Sequence, residues 1–227
     1  MEAKLQRFSS SVSAAIGGRS SAGFSAIELL VVVAVLAVVL TISIPYFMSY
    51  RRLYRSDDQA IRVMDLLREA NQLAITRRRT MRFEIDLTDN RLLIIDEAGT
   101  DPDVLLKAIP LDKTADVRMD VNPNGVAKPN PPNYPNATYA IDGLGHTEGA
   151  NSVIGHTVWA ARFQRDGSAV NAAGTPISAT LYIWPPATPG NPNARNAGEV
   201  RAITIFGGSS AVRYWKYTGS TFVGVLN

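Results

Sequence analysis

An uninterrupted apolar run near the N-terminus constrains this chain more than any other feature of its sequence. No charged residue occurs from Leu29 to Ile44, and the flanking Phe24 to Ile27, Tyr46 and Phe47 are nearly all apolar as well. The run approaches the roughly 20 residues that a membrane-spanning helix needs. Its single carboxylate, Glu28, lies near one end, and an unpaired acid costs about 2.5 to 3.5 kcal/mol at the bilayer centre and less near an end. The sequence therefore predicts a membrane helix whose acid needs a cation.

The alternative to a retained membrane helix is a signal peptide. In a signal peptide, Glu28 would merely face the lipid headgroups. A cleavable signal has its small-residue cleavage site after the apolar run, whereas here the small residues Ser20 to Gly23 precede it. Cleavage after Gly23 would leave a free amino group on Phe24, only four positions from Glu28. That amine would supply the missing cation.

The segment Gly23-Phe24-Ser25-Ala26-Ile27-Glu28 resembles the N-terminal motif of type IV pilins and type II secretion pseudopilins, which reads Gly, Phe or Met, three residues, then Glu. The following Leu29 to Val32 and a proline at position 45 are also similar to this family, in which Pro45 would kink the helix. The resemblance implies that a prepilin peptidase cuts between Gly23 and Phe24 and methylates the amine of Phe24. It further implies that Glu28 pairs with the amine of a neighbouring pilin or pseudopilin subunit in a filament.

The resemblance also predicts how the chain is divided and where it resides. Residues 1–23 would be a cleaved leader, 24–48 a transmembrane assembly helix, 49–79 the amphipathic half of the same helix, and 80–227 an antiparallel β domain. The protein would be anchored once in the bacterial inner membrane, with its domain on the periplasmic side, before it enters a filament. The leader carries three basic residues against one acidic residue, a balance typical of a cytoplasmic segment.

Composition limits the remaining function classes. The net charge is +3, of which the leader contributes +2, so the processed protein would be nearly neutral. That balance is weak support for a nucleic-acid-binding protein. The chain contains no cysteine, which excludes disulfides and a thiol nucleophile. About 180 residues remain after the leader and anchor, enough for one domain with its own core.

The apolar period changes along the chain from that of a helix to that of a strand. Residues spaced by three and four positions predict a buried helical stripe: Ala60, Val63, Met64, Leu67, Ala70 and Ala74. Alternation from Met81 to Leu87, a turn at Asp89-Asn90 and a return over Leu92 to Ile95 predict a hairpin. Further strands are predicted at 104–111, 158–163, 168–170, 179–184, 200–206 and 212–217, with proline- and asparagine-rich loops at 122–136 and 185–198. The predicted fold is α+β and pilin-like: a long N-terminal helix packed on an antiparallel β domain of two sheets.

The second half of the chain resembles, more loosely, the H-type minor pseudopilins of type II secretion and related minor pilins. The similarity rests on the hairpin around Phe163-Gln164-Arg165-Asp166-Gly167 and on the C-terminal pair of strands with basic residues. It implies a minor subunit. The sequence leaves open whether the machine secretes proteins, extends a pilus or imports DNA.

Nucleic-acid binding is the alternative function, because some related minor pilins bind DNA through a basic C-terminal segment. Cations that hold phosphates and aromatic rings that stack on bases occur together in this region. The residues concerned are Arg201, Arg213, Tyr214, Trp215, Lys216 and Tyr217. In a strand, however, Arg213, Trp215 and Tyr217 would share one face while Tyr214 and Lys216 shared the other. Solubilising cations beside core aromatics are the simpler interpretation.

Residue patterns typical of enzymes and metal sites are weak. His146 and His156, the two histidines of the chain, are ten positions apart with Glu148 between them, a spacing that does not match a helical metal pair. Asp101, Asp103 and Asp112 lie in or beside loops and fit no defined calcium loop. We therefore expect a structural protein without catalytic residues, metal or cofactor.

Overall fold

One long helix, α1, opens the described part of the chain in this computed structural model. The structure describes residues 25–97, 102–141, 143 and 145–225, without the side chains of 45, 46 and 48–53. Helix α1 spans Ala26–Arg77. Contacts between residues divide the chain into two units, Met1–Tyr46 and Phe47–Asn227, so the first part of α1 belongs to one unit and its remainder to the other.

The second part of α1 carries the predicted buried stripe. All six predicted stripe residues are at most 2% exposed, which confirms the helical periodicity there. The helix ends at Arg77 because Arg78 adopts a left-handed φ of 55°. The N–H of Arg79 then donates to the carbonyl of Ala74 at 3.2 Å, as in a Schellman C-cap.

Thirteen strands follow α1 in the described residues. They are β1 (Thr80–Asp86), β2 (Arg91–Glu97), β3 (Val104–Pro110), β4 (Arg118–Asp120), β5 (Ala140–Ile141), β6 (His146–Glu148), β7 (Asn151–Val153), β8 (Thr157–Phe163), β9 (Ala169–Val170), β10 (Ser178–Trp184), β11 (Arg201–Phe206), β12 (Ala211–Tyr217) and β13 (Phe222–Val225). A short 3-10 helix, Ala197–Glu199, precedes β11.

These strands form two sheets. Sheet A has the order β5-β8-β1-β2-β3-β6-β7, with β9 paired to β8, and sheet B has the order β13-β12-β11-β10-β4. The predicted hairpin is β1 and β2, in which Phe83 lies opposite Ile94 and Ile85 opposite Leu92. Among the named strands only β3 and β6 pair in parallel. The α+β class with an apolar N-terminal helix and two mainly antiparallel sheets is confirmed.

The predicted strands correspond to β1 to β3 and β8 to β12, and the strands that the sequence missed are very short. The missed strands, β4 to β7 and β13, have two to four residues each. A pattern of period two needs more residues than that to stand out from irregular chain. Their pairing depends on neighbouring strands rather than on local sequence.

The main core draws side chains from the second part of α1 and from both sheets. Met64 and Leu67 come from α1, Phe83 from sheet A, and Leu181 and Ile203 from sheet B. All five are at most 2% exposed. Phe83 and Trp159 meet edge to face with centroids 6.2 Å apart, a geometry that aromatic pairs prefer.

A second, smaller core lies on sheet B. Tyr182, Trp184 and Tyr217 pack there with Val126 and Ala194, which come from the two predicted proline- and asparagine-rich loops. These loops therefore cover apolar side chains of sheet B and contribute residues to its core. Burial of aromatic rings of this size contributes strongly to stability.

The polar positions of β1 are buried as well as its apolar ones. Arg82, Glu84 and Asp86 are at most 1% exposed because residues 145–156, here called the strap, contact β1 near both of its ends. The Arg82 guanidinium donates to the carbonyl of Gly145, and His156 Nδ1 lies 2.8 Å from Asp86 Oδ2. Alternation predicted the strand correctly but did not predict this burial.

Candidate functional site

The N-terminal motif opens α1 with a capping box. Ser25 Oγ accepts from the N–H of Glu28 at 3.2 Å, and Glu28 Oε2 lies 3.5 Å from the N–H of Ser25. This is the reciprocal arrangement of a Ser-x-x-Glu sequence at a helix N-terminus. A negative charge in the first turn also suits the positive end of the helix dipole. Glu28 thus has a local structural role that the sequence analysis did not consider, while Gly23 and Phe24 lie outside the described residues.

The apolar segment Ala26–Ile44 is long and apolar enough to cross a membrane, judged by length and composition. It has 19 residues, a mean hydropathy of 2.9, and none of it is buried within the protein. The Thr41 hydroxyl within this segment donates a hydrogen bond to the carbonyl of Ala37 at 2.7 Å. This bond satisfies the hydroxyl without water. Pro45 lies within α1, and the kink expected there stays a prediction.

Asp57 joins α1 to sheet B through charged contacts. Its carboxylate accepts two hydrogen bonds from Arg201, one from Nε at 2.8 Å and one from Nη2 at 3.1 Å. This is a bidentate geometry. The Tyr214 hydroxyl donates to the same carboxylate, and Lys216 Nζ lies 3.2 Å away. Burial alone would raise the pKa of Asp57, but the hydrogen bonds from Arg201 and Tyr214 and the charge of Arg201 outweigh it and lower the pKa to about 2.

The residues of the predicted nucleic-acid surface are distributed over three environments. Lys216 contacts Asp57, and Tyr217 is 6% exposed in the second core. Trp215 is half-buried and donates from Nε1 to Thr204 Oγ1 at 2.8 Å. Arg213 is exposed. The structure therefore divides the predicted cations and aromatics between different environments and does not gather all of them into one patch, and DNA binding stays a prediction.

Both histidines belong to one network of polar and charged side chains that joins the strap to β1 and β2. His146 Nε2 lies 3.0 Å from Glu148 Oε1, and Arg91 Nη1 lies 2.6 Å from the same oxygen. Arg91 Nε in turn lies 3.3 Å from Asp86 Oδ2, which also contacts His156. The ten-residue spacing of the histidines concealed this convergence, because the β6–β7 turn folds the chain back between them.

The possible metal ligands of this network are already paired with a cation. Asp86, Asp89 and His156 place ligand atoms within 4.8 Å of one another, but Arg91 contacts both carboxylates. A guanidinium at that position opposes a metal cation electrostatically. The three aspartates that were considered for calcium, and that fit no defined calcium loop, have other neighbours: Asp103 pairs with Arg82 and Asp112 lies near Arg62, while position 101 lies outside the described residues.

Comparison with known proteins gives no assignment, since no family model, curated protein or solved structure matches this chain.

Proposed function

We propose that this protein is a membrane-anchored structural subunit of a pilus-like filament, specifically a minor pseudopilin or pilin with a pilin-like fold. The observation that carries the proposal is the position of Glu28, the glutamate of the Gly-Phe-x-x-x-Glu sequence, in the first turn of the exposed apolar segment Ala26–Ile44. The same helix continues into the core of the β domain. A subunit of this kind needs both a helix that enters lipid or other subunits and a domain that folds around the helix's remainder.

In the proposed mechanism the protein acts by polymerisation. A prepilin peptidase cuts between Gly23 and Phe24 and methylates the new amino terminus, and the subunit waits in the inner membrane with its domain in the periplasm. On assembly, Glu28 pairs with the amine of Phe24 on a neighbouring subunit. The pair forms in a medium of low dielectric, where an ion pair is much stronger than in water.

Processing of the N-terminus provides the direct test. Mass spectrometry of the protein extracted from bacterial membranes should show a chain that begins at Phe24 and carries one additional methyl group. A Gly23→Val variant should keep its leader, because a side chain at the scissile position would intrude into a tight site. Gly18→Val, a change within the leader that leaves the motif intact, should be processed like the wild type. An intact wild-type leader in cells with an active prepilin peptidase would contradict the proposal.

A further inference from the structure

A pocket of about 320 Å³ lies between α1 and the β12–β13 edge of sheet B. Met64 and Arg68 line it from α1, Arg213 and Trp215 from β12, and Val225 from β13. We call it the Arg68–Arg213 pocket. Its walls belong entirely to the unit Phe47–Asn227.

The pocket has two positive charges and no acidic lining residue. Arg68 and Arg213 are both exposed, and neither has a carboxylate within 4.0 Å among the described residues. Other arginines of the same domain are paired, for example Arg62 with Asp58 and Arg201 with Asp57. The two guanidinium groups are therefore available to an anion from outside the described chain.

The remaining wall of the pocket is apolar and held in place. The hydrogen bond from Trp215 Nε1 to Thr204 fixes the indole. Its ring lies on Gly224, where an added Cβ would approach Trp215 Cζ3 to 3.2 Å. Met64 and Val225 continue the apolar surface beside it. A carboxylate bound in this pocket would thus have apolar groups next to it.

Size and composition indicate what occupies the pocket. A volume of 320 Å³ is at the lower limit for sites that enclose a small molecule, but it suffices for one side chain that reaches in from a neighbouring surface. Trp and Arg are among the residues that most often dominate protein–protein binding, and Trp215 lies here with two arginines. Arginine is also the cation best suited to bidentate contact with a carboxylate.

We infer that the Arg68–Arg213 pocket docks an acidic side chain of a partner protein, flanked in the partner's sequence by apolar residues. The inference does not depend on the filament role, because it concerns the folded domain alone. Nucleic acid fits less well, since the nearby Lys216 is engaged by Asp57 and Tyr217 is buried. A polyanion gains affinity from many cations, whereas this pocket offers two.

The test uses the full chain in detergent micelles and the peptide acetyl-Leu-Glu-Leu-amide, with acetyl-Leu-Gln-Leu-amide as its uncharged match. NMR signals of the Trp215 indole and of the two arginine side chains report binding. The Glu peptide should bind saturably and about fivefold more tightly than the Gln peptide, since an ion pair with exposed guanidinium groups is screened by water and contributes modestly. Arg68→Gln and Arg213→Gln should each remove most of that difference and leave the Gln peptide's affinity unchanged.

Arg165→Gln is the matched control, because Arg165 is exposed in a turn and does not line the pocket; it should bind both peptides like the wild type. Four results would overturn the inference. They are no saturable binding at millimolar peptide, equal affinity for the two peptides, displacement of the Glu peptide by an equal concentration of inorganic phosphate, or tighter binding of a short oligothymidylate. Leu226 and Asn227 follow the pocket residue Val225. Peptide binding that appears only after their deletion would mean that the chain's own last residues occupy the pocket, and it would also overturn the inference.

Discussion

At the scale of single residues, Asp57 makes polar contacts that join α1 to strands far away in the sequence. It lies 144 positions from Arg201 in sequence, and its side chain is 17% exposed. Arg201 is itself 8% exposed, so removal of the acid would leave a nearly buried guanidinium without its counter-charge. Such a loss is far more costly than the pair's net contribution to stability.

Asp57→Asn should therefore lower the free energy of unfolding by about 2 to 3 kcal/mol. Because the folded-state pKa of Asp57 is depressed to about 2, its contribution is complete above the ordinary carboxyl pKa near 3.8 and is lost as the pH falls towards 2. Denaturant titrations of the full chain at several acidic pH values would measure both effects.

Asp58→Asn is the control. Asp58 forms an exposed i,i+4 pair with Arg62, and its substitution should change the free energy of unfolding by no more than about 0.5 kcal/mol. Equal losses for the two variants would refute the role given to Asp57.

Glu28 has an observed role in capping α1 and a proposed role in pairing with the amine of a neighbouring subunit, and substitutions can separate the two. Glutamine can replace glutamate in a capping box, but it cannot form an ion pair with the amine of a neighbouring subunit. Glu28→Gln should therefore keep the start of α1 and enter the membrane normally, yet fail to enter filaments. Glu28→Ala should lose both roles and still insert, since removal of a charge eases partitioning into lipid. Membrane fractionation and immunodetection in sheared filaments would measure this, and wild-type incorporation of Glu28→Gln would show that only capping matters.

At the scale of elements, the strap contains the short β6–β7 hairpin, and its side-chain contacts with β1 and β2 are made by charged and polar groups. Gly145, Gly149 and Gly155 all have φ between 62° and 82°. Residues other than glycine rarely adopt this backbone conformation. An added Cβ at Gly145 would also lie 2.6 Å from the carbonyl oxygen of Val153. The strap's attachment to β1 and β2 relies on Arg82, Arg91 and His156 rather than on a broad apolar face.

We expect the attachment of the strap to weaken as the pH rises. The hydrogen bond with Asp86 raises the pKa of His156 above 6.5, with further contributions from the charges of Asp86 and Asp89 and opposition from burial and Arg91. A raised histidine pKa stabilises below its unfolded value and loses that contribution as the pH rises through the folded value. Hydrogen exchange corrected for intrinsic rates should show strap amides losing protection severalfold above about pH 6.5.

His156→Gln should abolish this pH dependence and leave the strap less protected than in the wild type at acidic pH, with the difference disappearing as the pH rises. Amides of β10 and β11 provide the internal control, because those strands form part of sheet B and do not contact the strap's histidines. The same loss of protection in β10 and β11 would mean that the whole domain responds to pH. Unchanged exchange in His156→Gln would show that the histidine does not hold the strap.

At the scale of the whole molecule, the unit Phe47–Asn227 contains both hydrophobic cores. A fragment beginning at Tyr50 should therefore be a soluble, folded monomer that unfolds cooperatively on heating, with stability supplied by core burial. The chain has no cysteine, so reducing agents should have no effect on this transition, and a chelator should leave it unchanged. A requirement for detergent, or a loss of the transition in chelator, would contradict autonomous folding.

The sequence by itself determined the local order of this protein. The apolar run, the stripe from Ala60 to Ala74 and the β1–β2 hairpin could be predicted because each is encoded by a period or a turn within a few residues of itself. Strands β10, β11 and β12 of sheet B could be predicted for the same reason. The capping box of Ser25 and Glu28 is equally local and could have been recognised from its spacing.

Only the tertiary structure decided which polar side chains meet. Periodicity assigns a residue to one face of an element but does not say what covers that face, so the burial of Arg82 and the contact of Asp57 with Arg201 were not predictable. The convergence of His146 and His156 on one network depends on the strap's path, which is set by glycines and single contacts rather than by a repeating pattern. The pairing of Arg68 with Arg213 in one pocket likewise depends on how α1 packs against the edge of sheet B. Long-range contacts of this kind follow from packing, since their partners are unrelated in local sequence.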